Sequence, residues 1–494
     1  MPLSKKRTAT YLAKISIVLI FITLFFQYLQ HNLILNRNFS YSFFNSDALF
    51  FNVMSESIIS GKSTFSDWIL TGAPRLFPSI ILNLIIFTFI KNYFIGHIIV
   101  GLMQLLLFNI LIKLLIETFT SNEYSLLTIL MINFFLFSTI SIEPFSYVLI
   151  SSHHFDNFLN FLFCCLLFFK GRDQRPFSIF YYGMFIFLAS FSNPIFLATF
   201  SAPFFFSNII FYKHYKFNLI LKDLFLIFMS IAGIVTSKII FSHNDCNVCF
   251  DNTYQNMSNI SFDAIYISLY HIKEFFLSHS SILQNSCFTL SILTPTIYII
   301  NKLYKSKFSI DFYNKKIHFF TFIIFAIIIN TFCFIFLKIN PQFRHLYLLY
   351  FNLFMVIPIS LFPFIKSIIK KYYFNISMLA LILSLLLFFT KFDYFKKVHF
   401  NFYPDDIQFI DKTLEEYDIS HGFVPYSYGN RLIFLSRIQL SMIHFHKIKP
   451  IHLWINKKWI EKEPEYIINL DPIDFGFSNY KTISNKNISI HILE

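Results

Sequence analysis

Charge is scarce in this sequence. Only 14% of its 494 residues are Asp, Glu, Lys or Arg, against 55% hydrophobic and 21% aromatic, which excludes a water-soluble globule with an ordinary charged surface. The apolar residues come in blocks of roughly 15 to 25, separated by short Lys- or Asn-rich gaps, the pattern of a polytopic membrane protein. Glycine is rare as well, at 10 residues. There is no P-loop, no GxGxxG, no Gly/Ser linker and no internal repeat, so nucleotide hydrolysis has no visible machinery. A small-x-small cleavage site is missing after "ISIVLIFITLFFQYLQ", so the basic N-terminus reads as leading into an uncleaved first span. Cysteine is limited to six residues, of which Cys164, Cys165, Cys287 and Cys333 fall in or beside expected spans as small apolar fillers. Cys246 and Cys249, in "HNDCNVCFDN", form a lone C-x-x-C with no second pair. A redox pair or half a zinc site fits that spacing, but a local loop disulfide in an oxidising compartment is the first choice.

What is present in excess is positive charge, +13 overall. A nucleic-acid surface would gather that charge on one face; here it is spread over the gaps between spans, so no nucleic-acid partner is expected. Candidate spans cover approximately 15–30, 94–118, 125–142, 156–169, 177–192, 195–212, 223–241, 282–301, 319–337, 346–365 and 373–390. The run "SIILNLIIFTFI", 79–90, is short and ends at Lys91; it reads as re-entrant or interfacial. Eleven crossings with a cytoplasmic N-terminus leave nineteen Lys and Arg inside and eight outside before residue 391, the asymmetry that basic residues show across a membrane. Counting 79–90 as a crossing would send "GRDQR" and "KHYK" outside, so the eleven-span arrangement is preferred.

After residue 390 the long apolar blocks stop. "FYPDDIQFIDKTLEEY" places Ile407, Ile410 and Leu414 on one helical face, with Asp405 and Asp406 in a first turn where they suit the helix dipole. "HGFVP", "QLSMIHF", "EYIIN" and "NISIHIL" read as short strands. The expected fold is therefore an all-α polytopic membrane protein of about eleven transmembrane helices, residues 1–390 with a large first outer loop 31–78, followed by a small extracytoplasmic α/β domain, 391–494.

This topology sorts the unusual side chains. Loop 31–78 carries Asp47, Glu56, Asp67, Trp68 and Arg75; loop 143–156 carries Glu143, His153, His154 and Asp156; loop 338–345 carries Lys338, Arg344 and His345. All face outward, so an active site is expected at the outer membrane surface. Ser46 reads as the N-cap of an amphipathic helix with Asp47 in its first turn and Gly61 at its end. A carboxylate held there can also accept a proton from a substrate hydroxyl. Trp68 suits an interfacial anchor. Arg75, on a stiff segment between two prolines, reads as a contact for a lipid phosphate or a simple headgroup. Adjacent histidines on a helix point apart, so His153 and His154 are not a metal pair; one of them binds substrate or Asp156, or both sit on a solvated loop end. Arg344 either snorkels to the headgroups or grips a phosphate oxygen with its planar fork.

An acidic residue in the first outer loop ("NSDALF"), an Arg opening a late span ("QFRHLYLLYFNLFMVIP") and a soluble outer C-terminal domain together resemble the GT-C superfamily of polytopic glycosyltransferases. The segments "SDWILTGAPRLFP", "SSHHFDNFL", "HGFVPYSYGNRLIFLSRIQLSMIHF" and "HLWINKKW" are similar to bacterial integral-membrane proteins of that group. The resemblance covers most of the chain in architecture and about five short patches in residues. It implies transfer of a sugar from a polyprenyl-phosphate-linked donor in the membrane lipid to an extracytoplasmic acceptor, at the plasma (inner) membrane. Asp47 would be general base, Arg344 would hold the lipid phosphate, and Arg75, His153, His154, Glu56 and Asp67 would line the substrate. Many members carry paired acids in the first loop, whereas Asp47 is followed by Ala48. No metal ligand is therefore assigned, and dependence on a divalent cation stays open. A transporter or flippase for a lipid-linked glycan and a non-catalytic assembly partner are the other readings. A transporter would carry ionisable residues at mid-membrane, and the expected spans are nearly free of them.

Overall fold

A computed structural model describes residues 3–30, 46–70, 74–140, 142, 144–150, 155–170, 176–210, 217–242, 266, 270, 272–305, 314–336, 348, 350–395, 403–446, 449–451, 455–470, 480–485 and 488–493. The first helix, α1 (Leu3–Gln30), is followed by α2 (Ser46–Ile59), a short strand β1 (Trp68–Ile69), a π-helical turn Leu76–Ile80 and α3 (Ile81–Phe89). Then come α4 (Tyr93–Phe119), α5 (Asn122–Thr139), α6 (Phe155–Lys170), α7 (Pro176–Ser192), a π-helical turn Leu197–Ser201 leading into α8 (Ala202–Ile210), α9 (Phe217–Ser242), α10 (Ile282–Lys305), α11 (Lys315–Phe336) and α12 (Leu353–Phe395).

Among the described residues five helices are long and apolar enough to cross a bilayer: Ser4–Gln27, Phe94–Phe119, Leu221–Ile240, Lys315–Cys333 and Leu353–Phe392. The shorter apolar helices include Leu76–Phe89, Ile179–Ser192 and Leu197–Ile210. With an apolar solvent outside, such helices associate through close packing and polar glue. A Cβ on Gly233 of α9 would lie 2.4 Å from the Phe187 carbonyl oxygen of α7, so that crossing requires glycine. Ser190 and Ser230 bond across the same pair at 2.6 Å, and Asn133 donates to Asn109 between α5 and α4 at 2.7 Å.

The helix ends fall into two groups. Phe119, at the end of α4, packs on Phe169 at the end of α6 (5.7 Å) and on Phe319 near the start of α11 (5.0 Å). Lys6 on α1 bonds Glu123 at the start of α5 at 2.5 Å, and Lys316 lies over the Phe362 ring of α12 at 5.4 Å. This is a lysine-rich end. A straight helix of 43 residues would extend ~65 Å at 1.5 Å per residue, twice the hydrocarbon core, yet α12 does not run straight. Phe354 packs on Phe135 of α5 at 5.6 Å and Phe362 on Tyr124 at 4.9 Å, so this half descends α5 toward the lysines. Tyr373 then clusters with Ala9 and Leu127, and Ala380 with Ile20 and Leu130, so the second half climbs α5 again, alongside α1. The chain reverses between Phe362 and Tyr373, at Pro363 and the lysines 366, 370 and 371.

The C-terminal residues build α13 (Asp405–Glu416), β2 (His421–Pro425), α14 (Tyr426–Leu435), β3 (Ser441–His446), β4 (Lys449–Ile451), β5 (Ile455–Asn456), α15 (Lys457–Ile460), β6 (Tyr466–Asn469), β7 (Tyr480–Asn485) and β8 (Ile488–Leu493). Six strands form one mixed sheet in the order β4-β3-β2-β6-β8-β7, with β2 parallel to both β3 and β6 and the other pairs antiparallel. Ile407, Ile410 and Leu414 of α13 are fully buried, the face its periodicity marks, and Ile488, Ile490 and Ile492 alternate inward along β8.

This sheet unit docks on the lysine-poor end. β5 leaves the main sheet and pairs antiparallel with β1, Trp68 opposite Asn456 and Ile69 opposite Ile455. Trp68, read from sequence as an interfacial anchor, is instead buried edge-on against Trp459 of α15 (5.6 Å) and Phe50 of α2 (5.6 Å). α14 lies along α2, and Phe434 at its end packs on His97 near the start of α4 at 5.8 Å.

Candidate active site at the lysine-poor end

The segment from Pro74 into α3 is stapled by polar bonds to α6 and α7. Arg75 holds φ 52°, ψ 38°, a left-handed backbone that costs a non-glycine residue about 1 kcal/mol or more. Its N–H donates to the Ser192 carbonyl at 2.7 Å. The Phe77 N–H donates to Ser192 Oγ at 2.8 Å, while Ser192 Oγ and Asn160 Nδ2 both donate to the Phe77 carbonyl, at 3.0 and 3.1 Å. The ends of α6 and α7 thus fix where the Arg75 guanidinium can go. It is buried, and it interacts electrostatically with the equally buried carboxylate of Asp156, beside Ser79.

Asp156 opens α6, where an acid suits the helix N-terminus. Its Oδ1 accepts from the Asn157 N–H at 2.8 Å, and Asn157 Nδ2 donates to Thr199 Oγ1 in the turn before α8 at 3.4 Å. Four separate pieces of chain therefore meet around the buried Arg75 and Asp156. Sequence reasoning kept Arg75 as a site residue but treated Asp156 only as a partner for the histidines. No local pattern links Arg75 to Asp156; only the stapled backbone reveals the pair.

The other expected residues fall as follows. A helix bearing Asp47 is present, but it includes Ser46 (Ser46–Ile59) and is buried on every side from Leu49 to Ser55 instead of amphipathic; Gly61 follows at φ 74°, and nothing is described of the Asp47 side chain. Glu56, in the last turn of α2, pairs with Lys62 Nζ at 3.4 Å. Asp67 accepts from the Thr64 N–H at 2.7 Å and pairs with Lys458 of α15 at 3.1 Å. The Thr64 bond first, then Lys458, holds its carboxyl below the usual carboxylate range. Glu56 and Asp67 thus serve the loop itself and its junction with the sheet unit. Glu143, His153, His154, Cys246, Cys249, Lys338, Arg344 and His345 lie outside the described residues. The remaining cysteines, Cys164, Cys165, Cys287 and Cys333, are free thiols, buried or nearly so. Among the described residues no group of three His, Cys, Asp or Glu side chains comes together as a metal cage.

Family models, curated proteins and solved structures yield no match to this chain in any of the three comparisons.

Proposed function

We propose that the chain is a membrane glycosyltransferase of the GT-C type, moving a sugar from a polyprenyl-phosphate donor to an extracytoplasmic acceptor. The observation that carries it is the convergence at the lysine-poor end. There α2, whose second residue is Asp47, lies between membrane helices and the docked sheet unit, at the same end as the buried Arg75–Asp156 pair. A polyprenyl phosphate keeps its tail in lipid and its phosphate at the surface, so its reacting bond sits at this depth. Asp47 accepts the proton of the attacking hydroxyl, while Arg344 and Arg75 hold the phosphate whose charge grows as the glycosidic bond breaks. The proposal includes the eleven-span topology, with the lysine-rich end cytoplasmic, and location in a bacterial plasma membrane. The reversal within α12 supports it, because two antiparallel passes meet at cytoplasmic lysines.

The test is complementation of cells lacking the gene, read as surface-glycan profile and accumulated lipid-linked sugar. Wild type restores the profile, and Asp47→Asn, made to the same level, loses transfer by about 10²- to 10⁴-fold, the usual worth of a general base. Full restoration by Asp47→Asn would remove the catalytic assignment.

A further inference from the structure

Positive charge gathers at the lysine-rich end where three helices meet. α10 ends there at Lys305, α11 begins there at Lys315, and α12 reverses between Phe362 and Tyr373. From residue 302 to 316 the sequence holds lysines 302, 305, 307, 315 and 316 against one acid, Asp311; from 362 to 373 it holds lysines 366, 370 and 371 and no acid. Lys307 and Asp311 lie outside the described residues.

Three of these lysines converge from three different helices. Lys316 of α11 and Lys366 of α12 both lie over the Phe362 ring, with Nζ 5.4 and 5.9 Å from its centroid. Lys302 of α10 and Lys366 stand close enough to Lys316 to repel it. Packing fixes the arrangement: Tyr298, one turn before Lys302, meets Phe320, one turn after Lys316, at 4.6 Å, and α10 also packs along α12.

The acids described at this end are engaged elsewhere. Glu117 pairs with Lys113 at 2.8 Å, Glu123 pairs with Lys6, and Asp223 accepts from Asn208 at 2.9 Å. Among the described residues no acid forms an ion pair with Lys302, Lys316 or Lys366. The face of Phe362 attracts cations but leaves their charge in place. The N-terminus of α11 adds charge of the same sign, because its first turn carries Lys315 and Lys316 and no acid.

A lysine that only marks the side of the membrane needs no such company; it gains most by reaching into water, away from other lysines. Lys316 is instead partly buried and shares one ring with Lys366. Basic clusters between membrane helices suit a phosphate headgroup. The surface beside the cluster is apolar and open: Phe364 and Ile368 of α12 are 69% and 53% exposed, and Ile300 of α10 is 59% exposed. A free phosphate makes no use of that surface, whereas a phospholipid lays its acyl chains along it. We infer that Lys302, Lys316 and Lys366 hold the headgroup phosphate of an anionic phospholipid, which ties α10 and α11 to the reversal of α12.

The experiment uses the full chain in a non-ionic detergent, titrated with phosphatidylglycerol, with phosphatidylcholine of the same chains, or with inorganic phosphate. Melting temperature and lipid retained in native mass spectrometry are read together, and neither depends on sugar transfer. Phosphatidylglycerol should raise the melting temperature and stay bound, while the other two should do neither at equal concentration. Lys316→Gln alone, and Lys302→Gln with Lys366→Gln at exposed positions, should weaken phosphatidylglycerol binding by about fivefold per lysine. Lys412→Gln, on the exposed side of α13, and Asp311→Asn should leave it unchanged. Should Lys316→Gln fail to fold, the exposed double variant decides. Equal stabilisation by phosphatidylcholine, or wild-type affinity in the double variant, overturns the inference. Stabilisation by inorganic phosphate as strong as by the lipid makes the ligand a soluble anion and removes the lipid assignment. A clear gain of affinity in Asp311→Asn would show that this acid already neutralises the cluster, and overturns it too.

Discussion

Truncating Trp68 tests what holds the sheet unit on the first outer loop. The indole is 1% exposed, and removing a buried tryptophan down to alanine costs about 3–5 kcal/mol. Within that sum, the edge-on contacts to Phe50 and Trp459, both at 5.6 Å, contribute about 0.5–1.5 kcal/mol each beyond their buried area. The neighbouring Asp67–Lys458 pair spans 3.1 Å with the lysine side chain 61% exposed, and such surface pairs are worth only about 0.2–1 kcal/mol. The ring contacts therefore dominate. Hydrogen exchange on the purified protein should show lost protection in α2 and β5 for Trp68→Ala, near-normal protection for Lys458→Ala, and an intermediate result for Trp68→Phe. The phenylalanine variant keeps ring packing but loses the Nε1–H donation to Ser63 Oγ at 2.9 Å, a bond worth about 1 kcal/mol. Comparable loss of protection in Trp68→Ala and Lys458→Ala, or none in Trp68→Ala, would refute the reasoning.

Two further outcomes are expected. Asp156→Ala removes the acceptor of the buried Asn157 N–H at the start of α6 and should lower stability by about 1–3 kcal/mol in a detergent melting assay, with Asp156→Asn costing less. His421 is buried in β2, where Nε2 donates to the Lys462 carbonyl at 3.1 Å and Nδ1 accepts from Ser441 Oγ at 2.8 Å. Burial holds its pKa below 6.5, so its contribution is complete above that value and is lost as pH falls toward the folded pKa. Melting of the sheet unit should drop between pH 7 and 5 in wild type and change less over that range in His421→Leu.

Much of this architecture could be read from local signals. Gly61 marks the end of α2 at φ 74° because a left-handed turn depends on a single residue. Ile407, Ile410 and Leu414 marked the inward face of α13 by spacing alone. The reversal in α12 was visible as lysines between two apolar runs, although the helical trace itself runs on through them. Trp68 was misplaced because an aromatic residue beside apolar runs has the composition of a headgroup anchor, and its strand of two residues is too short to show alternation. The proximity of Arg75 to Asp156 left no signal, because a neighbour supplied by distant chain has no spacing to read.

The position of α2 ties these observations together. From Leu49 to Ser55 every residue of the helix is buried, including the polar Asn52 and Ser55. A helix buried on all sides is ordinarily apolar throughout, so something other than hydrophobic demand keeps its polar residues there. Membrane helices cover one side of it, and α14 with the Trp68–Trp459 contact covers the other. Without the sheet unit, Trp68 would lose its contact with Trp459, and with it the packing that joins Phe50 of α2 to the sheet side. The docked unit therefore orients the helix that begins with Ser46 and Asp47 and covers the face that holds its buried polar residues, Asn52 and Ser55.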